Sequence, residues 1–408
     1  MKRISGIVFV ATIALLVWVA LVAVGAREGW LRAMPAAKGD TAGFLRWAES
    51  RYEEESKGNF AIVLLDHGRV AETYFAAHGR AVDGDSLFQA ASMSKWITAW
   101  GVMTLVEKGR IDLDVPVSRY LTRWHLPASK FDNDGVTVRR LLSHTAGLTD
   151  DLGFRGFAPV HQLPTIEQEL TQAKDAQPGA SGITRVEVQP GTNWRYSGGG
   201  YLMLQLLIEE VTQEPFNDYM RHAVFQPLGM KASTFVDPDP ANLADFYNAD
   251  GSKAIHYKFT ALAAASLYTS VADMTRFLQA QISGSKGEAP GRGVLTPITL
   301  KAMRMPHGFL YGIPVWGLGE TLYVPNGADS YIVGHDGSNY PAINTTARID
   351  PATGDGLVVL ETGNSRLAME IGGEWVFWRT GIFDLQTLVL FCGRNILIAL
   401  LSGVLVIL

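Results

Sequence analysis

The chain contains almost no cysteine, with a single one, Cys392, in 408 residues. It lies in an apolar stretch, so the remainder of the chain has no cysteine for a disulfide, a thiolate metal site or a cysteine nucleophile. The nine histidines show none of the spacings typical of zinc ligands, and we expect neither a metal nor a cofactor. A fold without disulfides depends on its apolar core.

Positive charge is also scarce. The chain has 35 Lys and Arg against 40 Asp and Glu, which gives a formal net charge of -5 at pH 7, and it contains no basic run. Nucleic acid is therefore not an expected partner. The chain also lacks a Gly-x-Ser-x-Gly nucleophile elbow, a phosphate-binding Walker loop and a His-Glu-x-x-His zinc motif. These absences leave several common enzyme chemistries without support.

An apolar segment lies near the N-terminus. The run Ile4–Gly25 contains no charged residue, and Lys2 and Arg3 precede it. About 20 apolar residues are enough to span a bilayer as a helix, and basic residues before such a run favour a cytoplasmic N-terminus. We predict a membrane anchor over residues 1–26, with the rest of the chain exported. A cleaved signal peptide, with the peptidase site at Val24–Ala26, is the alternative.

A second apolar segment runs from Leu385 to Leu408 and is interrupted only by Gly393–Asn395. It is long enough to span a bilayer, although an arginine near mid-membrane costs a few kcal/mol unless it snorkels or pairs. We predict a second membrane segment over residues 385–408. A buried terminal helix of the soluble core and a removable lipid-anchor signal are the alternatives.

Residues 27–384, between these segments, have the pattern of a globular α/β (α+β) domain. Helices are predicted where apolar residues recur at helical spacing, and strands where short apolar runs end at turn residues. The predicted helices are Thr41–Lys57, Met93–Gly109, Tyr201–Val211 and Thr269–Ser283. The predicted strands are Phe60–Asp66, Val70–Phe75, Gly312–Gly317, Tyr331–Gly334, Ala342–Asp350 and Gly356–Glu361. Strands at both ends with a helical middle predict an antiparallel sheet built from both halves and an inserted helical lobe at about residues 110–254.

The stretch Ser92-Met93-Ser94-Lys95 is the most informative about function. A serine hydroxyl is a poor nucleophile until a nearby base takes its proton. Positions three apart on a helix share a face, which places Lys95 beside Ser92. The apolar neighbours Met93 and Trp96 predict that Lys95 is partly buried, and burial lowers the pKa of an ammonium group towards that of a usable base. Ser-x-x-Lys alone is common by chance, so the interpretation depends on the rest of the chain.

Four further motifs follow in order along the chain. They are Leu141–Leu148 (Leu-Leu-Ser-His-Thr-Ala-Gly-Leu), Tyr196–Tyr201 (Tyr-Ser-Gly-Gly-Gly-Tyr), Pro227–Met230 (Pro-Leu-Gly-Met) and Gly334–Gly337 (Gly-His-Asp-Gly). Together with Ser92–Lys95, they make the chain resemble the serine β-lactamases and penicillin-binding proteins, specifically the class C β-lactamase and DD-peptidase branch. Order and spacing agree over about residues 45–365. The resemblance implies a β-lactamase/transpeptidase-like fold, an antiparallel sheet flanked by helices with an inserted helical lobe.

The resemblance assigns catalytic roles to four residues. Ser92 would be the acylated nucleophile, at a helix start whose backbone N–H groups face an oxyanion. Lys95 would be a proton acceptor or a charge that lowers the pKa of its neighbours. Tyr196 would carry the proton from Ser92 to the leaving group. His335, in the position where many lactamases have lysine, would line the cleft from a sheet-edge strand.

The resemblance also assigns binding positions. The backbone N–H groups of Ser92 and Ser338 would form the oxyanion hole. Gly198 and Gly337 would lie at the substrate-binding positions of the Tyr196–Tyr201 and Gly334–Gly337 motifs. His144 is assigned to holding its own loop.

Two departures from the family pattern bear on the substrate. Gly198 replaces the amide that, in the usual Tyr-x-Asn form, binds the acyl-side amide of the substrate and the lysine. Asp336 stands where a hydroxyl often helps to hold a substrate carboxylate, and a carboxylate there would disfavour an anionic substrate unless it points away. Both departures weaken the case for an efficient β-lactamase or DD-carboxypeptidase. They make an esterase, or an amidase acting on D-residue peptides, a comparable alternative.

The sequence therefore predicts a membrane-anchored serine hydrolase whose catalytic domain faces the periplasm or the cell exterior. It would form an acyl-enzyme with a small-molecule or peptide substrate, and D-aminoacyl peptide, β-lactam and carboxylic ester stay open. The alternative is a catalytically weak membrane-bound ligand-binding or sensor domain, for which Gly198 would be a sign of decay. Intact Ser92, Lys95 and Tyr196 argue against decay, and the ordered motifs argue against an unrelated membrane scaffold.

Overall fold

The computed structural model describes residues 2–30, 32–148, 154–327 and 330–407, with side chains from Val8 onward. Met1 of the predicted anchor and Leu408 of the predicted C-terminal segment lie outside the described residues. The strands of the main sheet are β1 (Phe60–Asp66), β2 (Arg69–Ala76), β3 (Gly308–Leu310), β4 (Ile313–Trp316), β5 (Thr321–Pro325), β6 (Tyr331–Asn339), β7 (Ile343–Ile349) and β8 (Gly356–Thr362). Their order is β2-β1-β8-β7-β6-β5-β4-β3, and every neighbouring pair is antiparallel. This confirms an antiparallel sheet assembled from both halves of the chain.

Two apolar cores lie on opposite faces of the sheet. Successive side chains in a strand point to opposite faces, and β1 shows this alternation clearly. Ala61, Val63 and Leu65 belong to the larger core, whereas the smaller core contains Phe60, Ile62 and Leu64. Strands covered on both faces are apolar throughout, which explains the unbroken apolar run of β1.

Helices cover both faces. They are α1 (Lys2–Arg27), α2 (Thr41–Glu55), α3 (Ser94–Glu107), α4 (Val138–Leu142), α5 (Ile166–Thr171), α6 (Gly198–Thr212), α7 (Phe216–Met220), α8 (Gln226–Leu228), α9 (Leu262–Ala265), α10 (Val271–Ala280), α11 (Pro297–Met303), α12 (Leu367–Thr380), α13 (Leu385–Thr387) and α14 (Gly393–Ile407). Helices α2 and α12 pack on the smaller core, and α3, α6 and α10 contribute to the larger one. A π-helical turn, Leu388–Cys392, joins α13 to α14 in one continuous helix.

The predicted sheet was incomplete at one end, and this changes the position of His335. Strands β3 and β5 were not predicted, and they place β6 inside the sheet between β5 and β7. The prediction that His335 lies on a sheet-edge strand is therefore wrong. However, β5 pairs only with the first part of β6, up to Gly334, while β7 pairs with β6 as far as Asn339. The backbone of the His335–Asn339 segment consequently pairs with β7 on one side and is not paired with β5 on the other.

The two terminal helices pack against each other. Val8–Arg27 and Leu385–Ile407 have mean hydropathies of 2.7 and 2.1 and are long enough to cross a membrane. The Trp18 indole N–H donates to the Ala399 carbonyl at 3.0 Å, and the Phe383 N–H donates to the Arg27 carbonyl at 2.8 Å. The last residue of the first span thus lies beside the residue just before the second span, and the middles of the two helices also touch. The two helices therefore run antiparallel. Only 6% of the most apolar 18-residue window of the C-terminal span is buried, which does not fit a terminal helix inside the soluble core.

Candidate active site

Ser92 lies in a single 3-10 turn, Ala91–Met93, that leads directly into α3. Its predecessor Ala91 has φ of 49°, a conformation that is uncommon for a residue with a side chain and that often marks a functional turn. Strand β6 packs tightly on this turn. A Cβ at Gly337 would lie 2.4 Å from the Ala90 carbonyl oxygen, so only glycine allows this approach. The motif glycine therefore fixes the distance between β6 and the serine.

Lys95 lies one turn after Ser92, as predicted, but it is almost completely buried, with 2% of its surface exposed. Its Nζ is 3.3 Å from Ser92 Oγ and donates to the Ala264 carbonyl at 2.7 Å. The ammonium group also lies over the Tyr196 ring, 4.9 Å from its centroid. Helix α9 supplies the carbonyl, so the lysine is held between three elements with its nitrogen directed at the serine.

Tyr196 precedes α6 and is partly exposed beside Lys95. Ser197 caps α6 by accepting the Gly200 N–H at 3.0 Å, and its own N–H donates to Nδ1 of His144 at 3.0 Å. His144 is buried, and burial keeps its pKa well below the usual value. Because Nδ1 accepts, the neutral ring carries its proton on Nε2. The predicted loop-holding role of His144 agrees with this hydrogen bond, which fixes the segment that carries Tyr196.

His335 is buried on β6, and its ring centroid lies 6.3 Å from that of Tyr196. Burial, reinforced by the nearby Lys95 charge, lowers its pKa to about 3. The ring is therefore neutral at pH 7. Nδ1 lies 2.6 Å from the Asp336 carbonyl oxygen. Because a carbonyl only accepts, Nδ1 donates, and Nε2 is an unprotonated acceptor.

Asp336 does not present a free charge to the site. Its buried carboxylate pairs with Arg348, Nη2 lying 3.0 Å from Oδ2, and accepts from the amide of Gln386 at 3.1 Å. Arg348 also pairs with Asp384, the N-cap of α13, at 3.2 Å. Burial raises the pKa of Asp336 while Arg348 opposes that shift. The expected repulsion of an anionic substrate therefore loses its basis, since the guanidinium balances the carboxylate.

Two cavities meet at the serine. One, of about 310 Å³, is lined by Ser92, Lys95, Tyr196 and Ser338 together with polar residues that include Arg155. The other, of about 500 Å³, shares Ser92, Tyr196 and Ser338 and continues past His335 and Gly337 along an apolar wall. Six of the seven predicted site residues thus line one or both cavities.

Gly198 is the exception. It is the first residue of α6, completely enclosed, and it is not among the residues that line these two cavities. The segment still places Gly198 two residues after Tyr196. A longer side chain at this position would begin next to the site rather than within it.

Several residues of the site had no recognisable signal in the sequence. Trp194 and Trp316 line the larger cavity and pack around the ring of His144. Leu385, Val389 and Leu390 also line it, although their segment was predicted only as a membrane span. Isolated aromatic residues between turns carry no periodic pattern. Their role depends on contacts between distant parts of the chain.

One group of side chains has the spacing of a metal site. Asp66, His67 and Asp355 offer ligand atoms within 4.8 Å of one another, at the turn between β1 and β2. The Asp355 carboxylate is already bound by Arg379 and by the His67 N–H. A cation would compete with the arginine there. We assign this cluster to holding the turn.

Comparison with known proteins places the chain in a family. A family model described as Beta-lactamase matches residues 46–374. Penicillin-binding protein 4 of Amycolatopsis lactamdurans is 27% identical over 72% of this chain and 78% of its own length, and Esterase EstB of Burkholderia gladioli is 30% identical over 42% of this chain and 44% of its own. The octameric penicillin-binding protein homologue from Pyrococcus abyssi has a similar fold, with a TM-score of 0.66, 23% identity and coverage of 83% of this chain and 76% of that one.

Coverage differs among the relatives. For three of the curated relatives that it matches, the chain spans only 31% to 46% of their length. The family model, by contrast, matches most of the catalytic domain, including the segments that carry Ser92, Lys95, Tyr196 and His335. The chain therefore belongs to the beta-lactamase family of serine hydrolases, together with penicillin-binding proteins and related esterases.

Proposed function

We propose that this protein hydrolyses carboxylic esters or amides through an acyl-enzyme formed on Ser92. The observation that carries the proposal is the 3.3 Å contact between Lys95 Nζ and Ser92 Oγ at the junction of two cavities. A serine becomes nucleophilic when a neighbouring group accepts or stabilises its proton. The backbone N–H groups of Ser92 and Ser338 are the proposed oxyanion hole.

Lys95 and Tyr196 share the proton transfer in this proposal. The lysine is buried beside the tyrosine ring, an environment in which a charge strongly influences its neighbours. Tyr196, being partly exposed at the mouth of both cavities, passes the serine proton to the leaving group. Neutral His335 is not a cation for a substrate carboxylate.

The site favours an ester or a D-aminoacyl amide over a β-lactam. A substrate carboxylate finds no charged His335, and the acyl-side amide of a β-lactam finds no side-chain amide at Gly198. EstB, one of the relatives, is named an esterase. A small ester needs neither contact because its leaving group is good and it carries no carboxylate.

We further propose that the antiparallel pair formed by Val8–Arg27 and Leu385–Ile407 anchors the domain in a membrane. Lys2 and Arg3 would keep the beginning of α1 in the cytoplasm. Because the helices are antiparallel, the end of α14 would lie there too. The catalytic domain then faces the periplasm or the cell exterior.

The experiment is active-site labelling of the full chain in detergent. A short-chain fluorophosphonate, or a labelled penicillin, should form one adduct on Ser92 that is visible in the intact mass and in the peptide map. Ser92→Ala should abolish the adduct, whereas Ser118→Ala, at an exposed serine, should retain it. An unlabelled wild type, or an equal adduct in Ser92→Ala, contradicts the proposal and favours a non-catalytic binding domain.

A further inference from the structure

The larger cavity is an apolar groove that leads from Ser92 to the C-terminal helix. Its apolar wall includes Leu310, Val315, Met369, Leu385, Val389 and Leu390. With a volume of about 500 Å³, it is much larger than an acetyl group requires. Small-molecule sites are mostly apolar with a few polar groups that fix orientation. Here Ser92, Tyr196 and Ser338 lie where the groove meets the smaller cavity.

The carboxylates that border the groove do not make it polar. Asp336 and Asp384 are both paired with buried Arg348, and Asp384 also accepts the Thr387 N–H at 2.9 Å. Gln386 donates its amide to Asp336. Since these groups are satisfied by one another, an apolar chain in the groove leaves none of these hydrogen bonds broken.

The groove lies where the apolar helices meet the domain. Leu385 and Leu390 fall within the first six residues of the span Leu385–Ile407. Just before that span, Phe383 is hydrogen-bonded to the carbonyl of Arg27, the last residue of α1. The groove wall is thus the domain end of the same helix that we propose to be in the membrane.

An exposed apolar hairpin also borders the groove. Phe309, Tyr311 and Ile313, in β3, β4 and the turn between them, are 48%, 91% and 46% exposed, and Leu310 beside them lines the groove. Exposed apolar and aromatic side chains grouped in this way mark contact with a membrane or another surface, and tyrosine is enriched at membrane interfaces. Both borders of the groove therefore fit the membrane–water boundary.

We propose that the groove binds the acyl chain of a long-chain ester taken from the bilayer surface, with the polar alcohol of that ester in the smaller cavity. The inference rests on the proposed function, since it assigns the acyl side of the Ser92 reaction. Ser92 Oγ bonds to the ester carbonyl carbon, the carbon–oxygen bond to the alcohol breaks, and the alcohol leaves with the serine proton. Water then adds to the acyl carbon, the Oγ–carbon bond breaks, Oγ recovers a proton, and a fatty acid is released.

Chain-length dependence of the full chain in lipid nanodiscs tests the inference. Each methylene transferred from water to an apolar site raises kcat/KM about fourfold. Burial of about three to four of the six additional methylenes should therefore make kcat/KM for 4-nitrophenyl octanoate exceed that for the acetate by about 100-fold or more. Leu390→Trp, which fills the groove, should lower this octanoate-to-acetate ratio at least tenfold. Val315→Trp, which changes a lining residue on β4, should do the same without altering the helix.

Leu401→Trp is the matched control, because Leu401 is exposed to the same degree on the same helix, 54% against 51% for Leu390, but outside the groove. Octanoate enters the discs equally with every variant, so the difference between variants isolates the groove. Equal ratios in the wild type, Leu390→Trp, Val315→Trp and Leu401→Trp, with Ser92 still labelled by a short fluorophosphonate, overturn the groove assignment alone. Absence of labelling in the wild type overturns it together with the proposed function.

Discussion

The side-chain amide of Gln386 donates a hydrogen bond to the carboxylate of Asp336, with Nε2 3.1 Å from Oδ2. Gln386 is the second residue of the C-terminal apolar helix, and Asp336 belongs to the Gly334–Gly337 motif on β6. Arg348 joins the same cluster and also binds Asp384, which caps that helix. The beginning of the apolar helix and the strand that borders Ser92 thus share one buried ion cluster.

Removing the arginine from this cluster should destabilise the protein strongly. Arg348→Met leaves two buried carboxylates without their counter-ion, a change that typically costs about 3–5 kcal/mol. Arg139→Met removes the more exposed pair with Asp114 and should cost about 1 kcal/mol or less. Chemical unfolding in detergent measures both. Equal losses in the two variants would contradict a structural role for the cluster.

Lys95 should be essential for catalysis and much less important for folding. Lys95→Met removes the proposed proton acceptor next to Ser92, and such groups contribute about 10²–10⁴-fold to rate. Lys108→Met, at the exposed end of α3, is the control with an unchanged rate. We expect kcat for an aryl ester to fall in that range with Lys95→Met. A loss below tenfold would show that another group takes the proton.

His335 should make the protein less stable in acid. Burial lowers its pKa to about 3, whereas a histidine in the unfolded chain titrates near 6.5. Between these values the unfolded chain binds one more proton than the folded chain. The contribution of neutral His335 to the free energy of unfolding is therefore fully present above pH 6.5. It falls by about 1.4 kcal/mol per pH unit as the pH drops towards 3. His335→Gln should reduce the slope by this amount between pH 6 and 4. The exposed His125→Gln is the control, and an unchanged slope in His335→Gln would contradict the assignment.

Local patterns were sufficient to predict that Ser92 and Lys95 are neighbours. Helical spacing placed Lys95 next to Ser92, and the structure has the two atoms 3.3 Å apart. The apolar run of β1 and the helix after Ser92 were also predicted close to their observed bounds. In each case the residues that contact one another are only a few positions apart in the chain, so the local sequence pattern predicts their contact.

The remainder of the site depends on distant contacts. The position of β6 inside the sheet was missed because β3 and β5 are short and lie next to glycine turns, which obscure a strand pattern. The charge balance of Asp336 was missed because its partner Arg348 comes from the next strand and Gln386 from a segment predicted as a membrane span. No spacing rule connects these three residues.

The proposed membrane topology predicts the side on which each end of the chain lies. A reporter that fluoresces only in the cytoplasm should stay dark when fused after about residue 60. The same reporter fused after residue 408 should fluoresce, because the two apolar helices run antiparallel. Fluorescence at residue 60 would overturn the exported position of the domain. A dark fusion after residue 408 would show that the second helix does not return across the membrane.

The substrate preference follows from two residues near Ser92. His335 is neutral at pH 7, so the Gly334–Gly337 motif provides no cation for a substrate carboxylate. Gly198 has no side-chain amide to bind an acyl-side amide of the substrate. A hydrogen bond to a charged group contributes about 1.5–3 kcal/mol, which corresponds to one or two decades of rate. We therefore expect kcat/KM for short aryl esters to exceed that for a chromogenic cephalosporin.

Gly198→Asn tests the cause of this preference. If the missing amide limits the reaction with the cephalosporin, an asparagine two residues after Tyr196 should shift the ratio of the two kcat/KM values towards the cephalosporin by about tenfold or more. Gly287→Asn is the control, because Gly287 lies in an open loop and asparagine tolerates its positive φ. An unchanged ratio in Gly198→Asn would leave neutral His335 as the reason for the preference. A wild type that prefers the cephalosporin would show that neither departure limits the site, and β-lactam hydrolysis would then become the favoured activity.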